Sequence, residues 1–144
     1  MCILNIIGRS YKRIVSVVVA LMCSAAMFAV PYDVQINGIC YKIIGNEAMV
    51  TVYSDNGESN YRFYKGKINI PETITYGNKN YKVTAIGKNA FAYCQDVTEI
   101  VVPNSVVTIG DCAFQGHINL KLHLGASVRE IGKGAFWVEN RRVH

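Results

Sequence analysis

The sequence has few charged residues, and their distribution argues against a nucleic-acid-binding protein. Charged residues make up 17% of the 144 residues. Three of the fifteen basic residues, Arg9, Lys12 and Arg13, precede an apolar run near the start, so 12 basic residues remain from Met27 onward against 10 acidic ones, a net charge of +2. Nucleic-acid binding needs a clustered excess of basic residues, which this part of the chain lacks.

Cysteines are also scarce and do not form a known framework. Of the five, Cys2 and Cys23 lie in the first segment, which leaves Cys40, Cys94 and Cys112. An odd number without any C-x-x-C pair argues against a disulfide framework. We expect the three to be small, buried apolar residues, with a single disulfide bridge as the alternative.

Motifs of catalytic and cofactor sites are missing as well. The sequence contains no G-x-S-x-G, H-E-x-x-H, P-loop or G-x-G-x-x-G pattern. The three histidines, His117, His123 and His144, do not give a zinc-ligand spacing with Cys112. Carboxylates are scattered singly. We therefore predict no enzymatic activity, no metal and no cofactor.

One long apolar run is present, and its flanking residues are typical of an export signal. The basic residues of the first segment are followed by apolar residues 14–23 and by the small residues 24–26, the order found in secretory signal peptides. We predict that residues 1–26 are removed, with cleavage after Ala29 as a second possibility, and that the protein is secreted or at the cell surface. An uncleaved anchor is the alternative, since the uncharged run over residues 14–31 approaches the ~18 residues needed to span a bilayer. No other segment is apolar enough to cross a membrane.

A repeat of 22 to 23 residues is the strongest pattern. Residues 83–91, 106–114 and 128–136 all read V-x-x-I-G-x-x-A-F, which places Ile86, Ile109 and Ile131 at equivalent positions. Such periods indicate a solenoid, because each unit must stack on its neighbours to bury its apolar side chains. Strand alternation predicts that Ile100 faces inward and Val101 outward. The glycine after each isoleucine is predicted to allow a sharp turn.

The residues before the repeats have a different sequence pattern. Asn37-Gly38 stands between alternating apolar residues, a strong hairpin pattern, and we expect residues 30–66 to form a small antiparallel β cap. Residues 67–144 form the repeat part, which begins with a degenerate copy at 67–71. Residues 74–82 contain Gly77-Asn78 and are predicted to form a hairpin that leaves the solenoid.

Residues 68–136 resemble the BspA-like leucine-rich repeats of surface proteins from anaerobic bacteria and some mucosal protists. The resemblance rests on Ile-Gly-x-x-Ala-Phe-x-x-Cys at residues 86–94; in the second copy His117 stands at the Cys position. It implies a β-rich leucine-rich-repeat solenoid, a parallel strand ladder with short helical turns, behind the antiparallel hairpin cap. It also implies export and adhesion to host matrix proteins or other cells, and it carries over no catalytic residues.

The outward-facing strand positions are the candidate binding site for a protein partner, with ordinary solvated strand residues as the alternative interpretation. The candidates are Asn69, Thr98, Glu99, Val101, Lys121 and His123. A second candidate surface consists of tyrosines, which are favoured at interfaces: Tyr53, Tyr61, Tyr64, Tyr76 and Tyr81. For each of them, packing within a half-buried hairpin is the favoured interpretation.

These features predict an exported, non-catalytic adhesion or protein-interaction module whose partner is an extracellular-matrix or cell-surface protein. The alternative is a truncated, uncapped repeat fragment with no independent function. Relatives of this type are usually longer, whereas the sequence continues for only eight residues after Phe136. Ile131, Phe136 and Trp137 would then lack a covering turn, which predicts self-association through the last turn or poor solubility.

Overall fold

The computed structural model of the chain describes residues 32–55, 58–60 and 62–139. The predicted signal peptide, residues 1–26, lies outside these ranges. Within them the chain forms strands and turns without any helix. In chain order the strands are β1 (Val34–Ile36), β2 (Ile39–Ile44), β3 (Glu47–Thr51), β4 (Ser54–Asp55), β5 (Glu58–Ser59), β6 (Gly66–Asn69), β7 (Thr73–Tyr76), β8 (Lys79–Ile86), β9 (Val97–Val101), β10 (Thr108–Ile109), β11 (Lys121–His123) and β12 (Glu130–Ile131).

Two sheets form the walls of the repeat ladder. The first has the order β1-β2-β3-β8-β10-β12, and its last four strands are parallel. Ile86 pairs with Ile109, and Ile109 pairs with Ile131, so the alignment of the three sequence copies is confirmed as a structural register. The second sheet has the order β11-β9-β6 and is parallel throughout. A parallel ladder of this kind is the expected repeat architecture.

The residues before the repeats form antiparallel strands. Asn37 and Gly38 have φ values of 49° and 80°, which fits the two-residue turn that joins β1 to β2. Strand β2 pairs antiparallel with β3, and β3 then pairs parallel with β8. The antiparallel unit therefore continues directly into the first sheet. Its role as an N-terminal cap remains a prediction.

The hairpin in the insert is integrated into the ladder. Strands β7 and β8 pair antiparallel around Gly77 and Asn78, with φ values of 57° and 62°. The insert was expected to leave the solenoid, but β8 runs without a break from Lys79 to Ile86. Its first half pairs with β7 and its last two residues pair with β10. The predicted hairpin is therefore present, and its second strand continues into the ladder, so that one strand serves both.

The segments that follow each ladder strand are turns linked to the neighbouring repeat. In the first, the N–H groups of Asn89, Phe91 and Tyr93 donate to carbonyls of the next turn, at 2.7–3.0 Å. Between them, the N–H groups of Ala90 and Ala92 donate three residues back within their own turn. Since this alternation replaces a continuous helical bond series, the predicted short helical turns are not confirmed.

The repeated glycines are needed for close approach between turns. The structure places the backbone of the preceding turn against them: a Cβ on Gly110 would lie 2.7 Å from the Lys88 nitrogen and 2.8 Å from the Gly87 carbonyl carbon. On Gly132, a Cβ would lie 2.6 Å from the carbonyl carbon of Gly110. Neither glycine has a positive φ. A turn does begin at each of them, since their carbonyls accept the N–H three residues on. The φ values do not require glycine in these turns, so crowding by backbone atoms is the reason that no side chain fits.

A column of aromatic rings fills the space between the walls. Phe91 stacks on Phe114 with ring centroids 5.7 Å apart, and Phe114 stacks on Phe136 at 5.5 Å. Tyr64 begins the column, 4.9 Å from Phe91. Its hydroxyl donates to the Thr51 carbonyl at 2.7 Å, so its polar end is satisfied although the ring is buried. The apolar positions of successive repeats thus form one continuous core.

Candidate binding surface

Five of the six candidate residues lie on one side of the second sheet, which we call the outward face. Strand register places Asn69 beside Val101 and Val101 beside His123. A second row, one pleat away, contains Lys67, Glu99 and Lys121. On the opposite side of the sheet, Ile68, Ile100 and Leu122 pack into the core. The alternation predicted from the sequence is therefore present, whereas the binding role of this face remains a prediction.

Glu99 is the electrostatic centre of the outward face. One of its carboxylate oxygens lies 3.4 Å from Lys67 Nζ and 3.0 Å from His123 Nε2. Partial burial opposes ionisation of Glu99, but the hydrogen bond from Lys67 and the charges of Lys67, Lys121 and His123 outweigh it, so its pKa lies below the ordinary value. Glu99 therefore stays negative at neutral pH and organises the basic side chains around it. Such exposed pairs contribute little stability.

Thr98 is displaced from the regular rows by a bulge. Gly66 pairs with Val97, and the next residue, Lys67, pairs with Glu99, so Thr98 has no counterpart on β6. Its side chain is exposed. Bulges re-aim side chains at sheet edges and next to functional sites. Of the six candidates, Thr98 is thus the one whose direction could not be obtained from strand alternation.

The outward face carries side chains of several chemical types. It combines charges of both signs with the half-buried Val101 and the amide of Asn69. Among residues 32–55, 58–60 and 62–139, no group of three or more His, Cys, Asp or Glu residues is arranged to hold a metal ion. The described residues also include no helix that is long and apolar enough to span a membrane.

The tyrosine candidates do not form a single surface. Tyr64 is buried in the core, so its assignment to a surface is wrong. Tyr53 stacks on Phe63 with ring centroids 3.9 Å apart, and Tyr81 lies under the ammonium of Lys79 at 5.2 Å. Tyr76 is exposed, and Tyr61 lies outside the described residues. Packing within the hairpins accounts for most of this group.

The three cysteines of the described chain are free thiols. Cys40 and Cys94 are buried, and burial raises their thiol pKa to about 11 and about 12, respectively. Cys112 is partly accessible and has a left-handed φ of 55°. Thiolates are the reactive form of cysteine, so the two buried thiols are packing residues, as the sequence predicted.

A concave region that the sequence analysis missed lies on the turn side of the last two repeats. It has a volume of about 480 Å³. Its lining comprises Lys88, Asp111, Cys112, Gln115, Lys133, Gly134 and Trp137. Two departures from the repeat could have revealed it: Gly134 replaces Asn89 and Cys112 of the earlier turns, and Trp137 replaces Ala92 and Gln115.

Comparison with known proteins defines the class of this ladder. Residues 84–141 match the family described as the BspA type leucine-rich repeat region (6 copies). This part of the chain is therefore a BspA-like leucine-rich repeat region, and the resemblance drawn from its motifs is confirmed. The match begins within β8, so the hairpins and the degenerate first copy precede it. No curated protein matches the chain significantly.

Solved structures support the same class. A leucine-rich repeat protein from Bacteroides ovatus is 30% identical, with a TM-score of 0.58 over 72% of this chain and 26% of its own. The pneumococcal vaccine antigen PcpA is 26% identical, with a TM-score of 0.52 over 74% of this chain and 30% of its own. A leucine-rich repeat protein from Bacteroides capillosus shares the fold at 23% identity and a TM-score of 0.50, over 76% of this chain and 94% of its own. The chain thus spans about a quarter of the length of the first of these.

Proposed function

We propose that this protein is an exported, non-catalytic interaction module that adheres to another protein through the outward face of its second sheet. The observation that supports the proposal is the register of five of the six candidate side chains, all but Thr98, on one side of a parallel ladder. Repeat solenoids commonly use such a face for binding. We infer export, and a place at the cell surface or in the medium, from the order of features in residues 1–26. The likeness to a vaccine antigen agrees with that location.

The partner proposed for the outward face is an extracellular-matrix or cell-surface protein. Lys67, Lys121 and His123 surround the single carboxylate of Glu99, so the face favours a partner surface with an excess of acidic groups. Val101 supplies an apolar centre among them. Charge complementarity of this kind sets orientation and association rate more than affinity.

Substitution on the outward face is expected to weaken adhesion. Val101→Arg places a long cation at the centre of the face, and Lys121→Glu reverses a charge beside it. Each should weaken binding to an immobilised matrix protein at least about tenfold, as for a central contact residue. Surface plasmon resonance on a panel of matrix proteins measures this.

Gln35→Arg is the matched control, because Gln35 is an exposed strand residue of β1 outside the outward face. It should bind like the unmodified protein. No saturable binding to any matrix or cell-surface protein would refute adhesion, and equal losses in Val101→Arg and Gln35→Arg would refute the location of the site.

A second proposal concerns the last described turn: we infer that two copies of the protein associate through it. Ile131 and Trp137 are 53% and 51% exposed there. The N–H groups of Gly134 and Phe136 have no acceptor among the described residues, whereas their counterparts in the preceding turn donate to the next repeat. Strand β12 is also the last strand of the first sheet. Unpaired edges with apolar side chains favour pairing between copies.

Ile131→Lys is expected to make the protein monomeric. A charge at this position would be buried in the contact between two copies and would lack a partner there. Sedimentation equilibrium should show a concentration-dependent mass for the unmodified protein and a constant monomer mass for this variant. Ile44→Lys is the control, since Ile44 is equally exposed (56%) at the far end of the same sheet, and it should still associate. A constant monomer mass for the unmodified protein contradicts the inference.

A further inference from the structure

The cavity on the turn side, which we call the turn cavity, is created by two departures from the repeat. Its lining includes the left-handed residue of the last two turns, Cys112 and Gly134, with φ values of 55° and 67°. Gly134 has no side chain there, and a Cβ would meet nothing closer than Cys112 Sγ at 3.5 Å. Trp137 adds a wall where the preceding turns have smaller side chains. The cavity is therefore a specific feature of the last two turns.

Charged side chains line one side of the turn cavity. Lys88, Asp111 and Lys133 occupy the same repeat position in three successive turns. Asp111 Oδ1 accepts the N–H of Lys133 at 2.7 Å, so part of its charge is used within the protein. No described residue forms an ion pair with either lysine. The cavity therefore carries an excess of positive charge, which is complementary to an anionic group.

Two hydrogen-bond acceptors and an aromatic ring complete the lining. Gln115 Nε2 donates to the Tyr93 hydroxyl at 2.8 Å, which leaves its carbonyl oxygen as an acceptor. Asp111 Oδ2 is likewise without a hydrogen-bond partner among the described residues. Trp137 is half exposed and provides an apolar ring with a polar N–H. A ligand that uses all of these groups needs an acid, several hydroxyl donors and a compact apolar face.

We propose that the turn cavity binds an acidic sugar unit, a pyranose ring that bears a carboxylate. The carboxylate of the sugar is attracted by the ammonium groups of Lys88 and Lys133, which flank Asp111 in this row. The hydroxyl groups of the sugar donate to Asp111 and Gln115, and the C–H face of its ring packs on Trp137. The volume of about 480 Å³ falls in the range of ~300–1,000 Å³ usual for small-molecule sites. Extended peptides instead use strand edges or long grooves. This site is independent of the outward face.

Trp137 makes the proposal directly measurable, because it is the only tryptophan in the sequence. Titration with glucuronic acid should change the tryptophan emission saturably. Glucose, which has the same ring without the carboxylate, should bind at least about tenfold more weakly, since a charge-assisted hydrogen bond contributes ~1.5–3 kcal/mol. The titrations are repeated with Ile131→Lys to separate sugar binding from association between copies.

Two variants and one control test the assignment of residues. The double variant Lys88→Gln/Lys133→Gln should lose the preference for glucuronic acid over glucose. Gly134→Asn places a side chain in the cavity and should abolish both responses, whereas Lys42→Gln/Lys82→Gln removes two exposed lysines elsewhere and should change neither. Absence of a saturable response to glucuronic acid, an equal response to glucose, or a response to oligoglutamate alone would overturn the proposal. None of these outcomes bears on adhesion through the outward face.

Discussion

Replacing Phe114 with alanine is expected to lower the free energy of unfolding by about 3–5 kcal/mol, the usual cost of deleting a buried aromatic side chain. Phe114 is 1% exposed and lies in the middle of the ring column, nearly parallel to Phe91 and Phe136 at interplanar angles of 5° and 8°. Its removal separates the rings on either side and leaves a cavity between two walls that the backbone holds apart. Because small domains are stable by only about 5–15 kcal/mol, the variant should unfold at much lower urea concentration, as measured by circular dichroism.

Phe136→Ala is the matched control for this experiment. Phe136 holds the same repeat position and stacks on the same ring, but it is 44% exposed. Since roughly half of its surface stays in water, its loss should cost only about 1–1.5 kcal/mol, half the transfer free energy of a fully buried phenylalanine. If both variants lost the same free energy of unfolding, the ring column would not be a main source of the core's stability.

Gly110→Ala is expected to cost about 3 kcal/mol, the upper part of the range for overpacking a dense interior. The added Cβ would lie 2.7 Å from the Lys88 nitrogen and 2.8 Å from the Gly87 carbonyl carbon. Both are backbone atoms, so no rotamer change can relieve the contact, and the two turns must separate. Separation would lengthen the 2.7 Å hydrogen bond from Gly110 N–H to the Ile86 carbonyl and disturb the pairing of β8 with β10. Thermal unfolding monitored by circular dichroism measures the loss.

Gly134→Asn provides the comparison for Gly110→Ala. Gly134 has a φ of 67°, and its Cβ position is free of close contacts. Asparagine tolerates the left-handed region and already occupies the equivalent position as Asn89. The free energy of unfolding should therefore change by less than about 1 kcal/mol. If Gly134→Asn greatly lowered the free energy of unfolding and Gly110→Ala did not, the conclusion that the repeated glycines allow close approach between turns would be contradicted.

The register of the ladder could be predicted from the sequence because each repeat uses the same apolar positions. Ile86, Ile109 and Ile131 must all face one core, and shifting any strand by one residue would turn its isoleucine toward water. The same period placed Asn69, Val101 and His123 in one outward row. Asn37-Gly38 likewise predicted its hairpin, since few residue pairs accept positive φ twice.

Other features depend on contacts that a single sequence does not reveal. The need for Gly110 arises from backbone atoms of the preceding turn, which become neighbours only after the turns stack. Strand β8 belongs to both the hairpin and the ladder because it is longer than β10 and β12, the equivalent strands of the later repeats. The turn at Gly77-Asn78 alone suggested a separate hairpin. The turn cavity depends on the absence of a side chain at Gly134 next to the ring of Trp137. Neither residue alone would predict a cavity.

Hydrogen exchange of the free and partner-bound protein tests the central claim, that the outward face of the ladder binds another protein. Once a matrix or cell-surface protein that binds has been identified, amides of β9 and β11 should exchange more slowly in the complex, and those of β1 and β2 should be unchanged. Protection confined to β1 and β2, or to the tyrosine-bearing hairpin β7–β8, with none on β9 and β11, would contradict the claim.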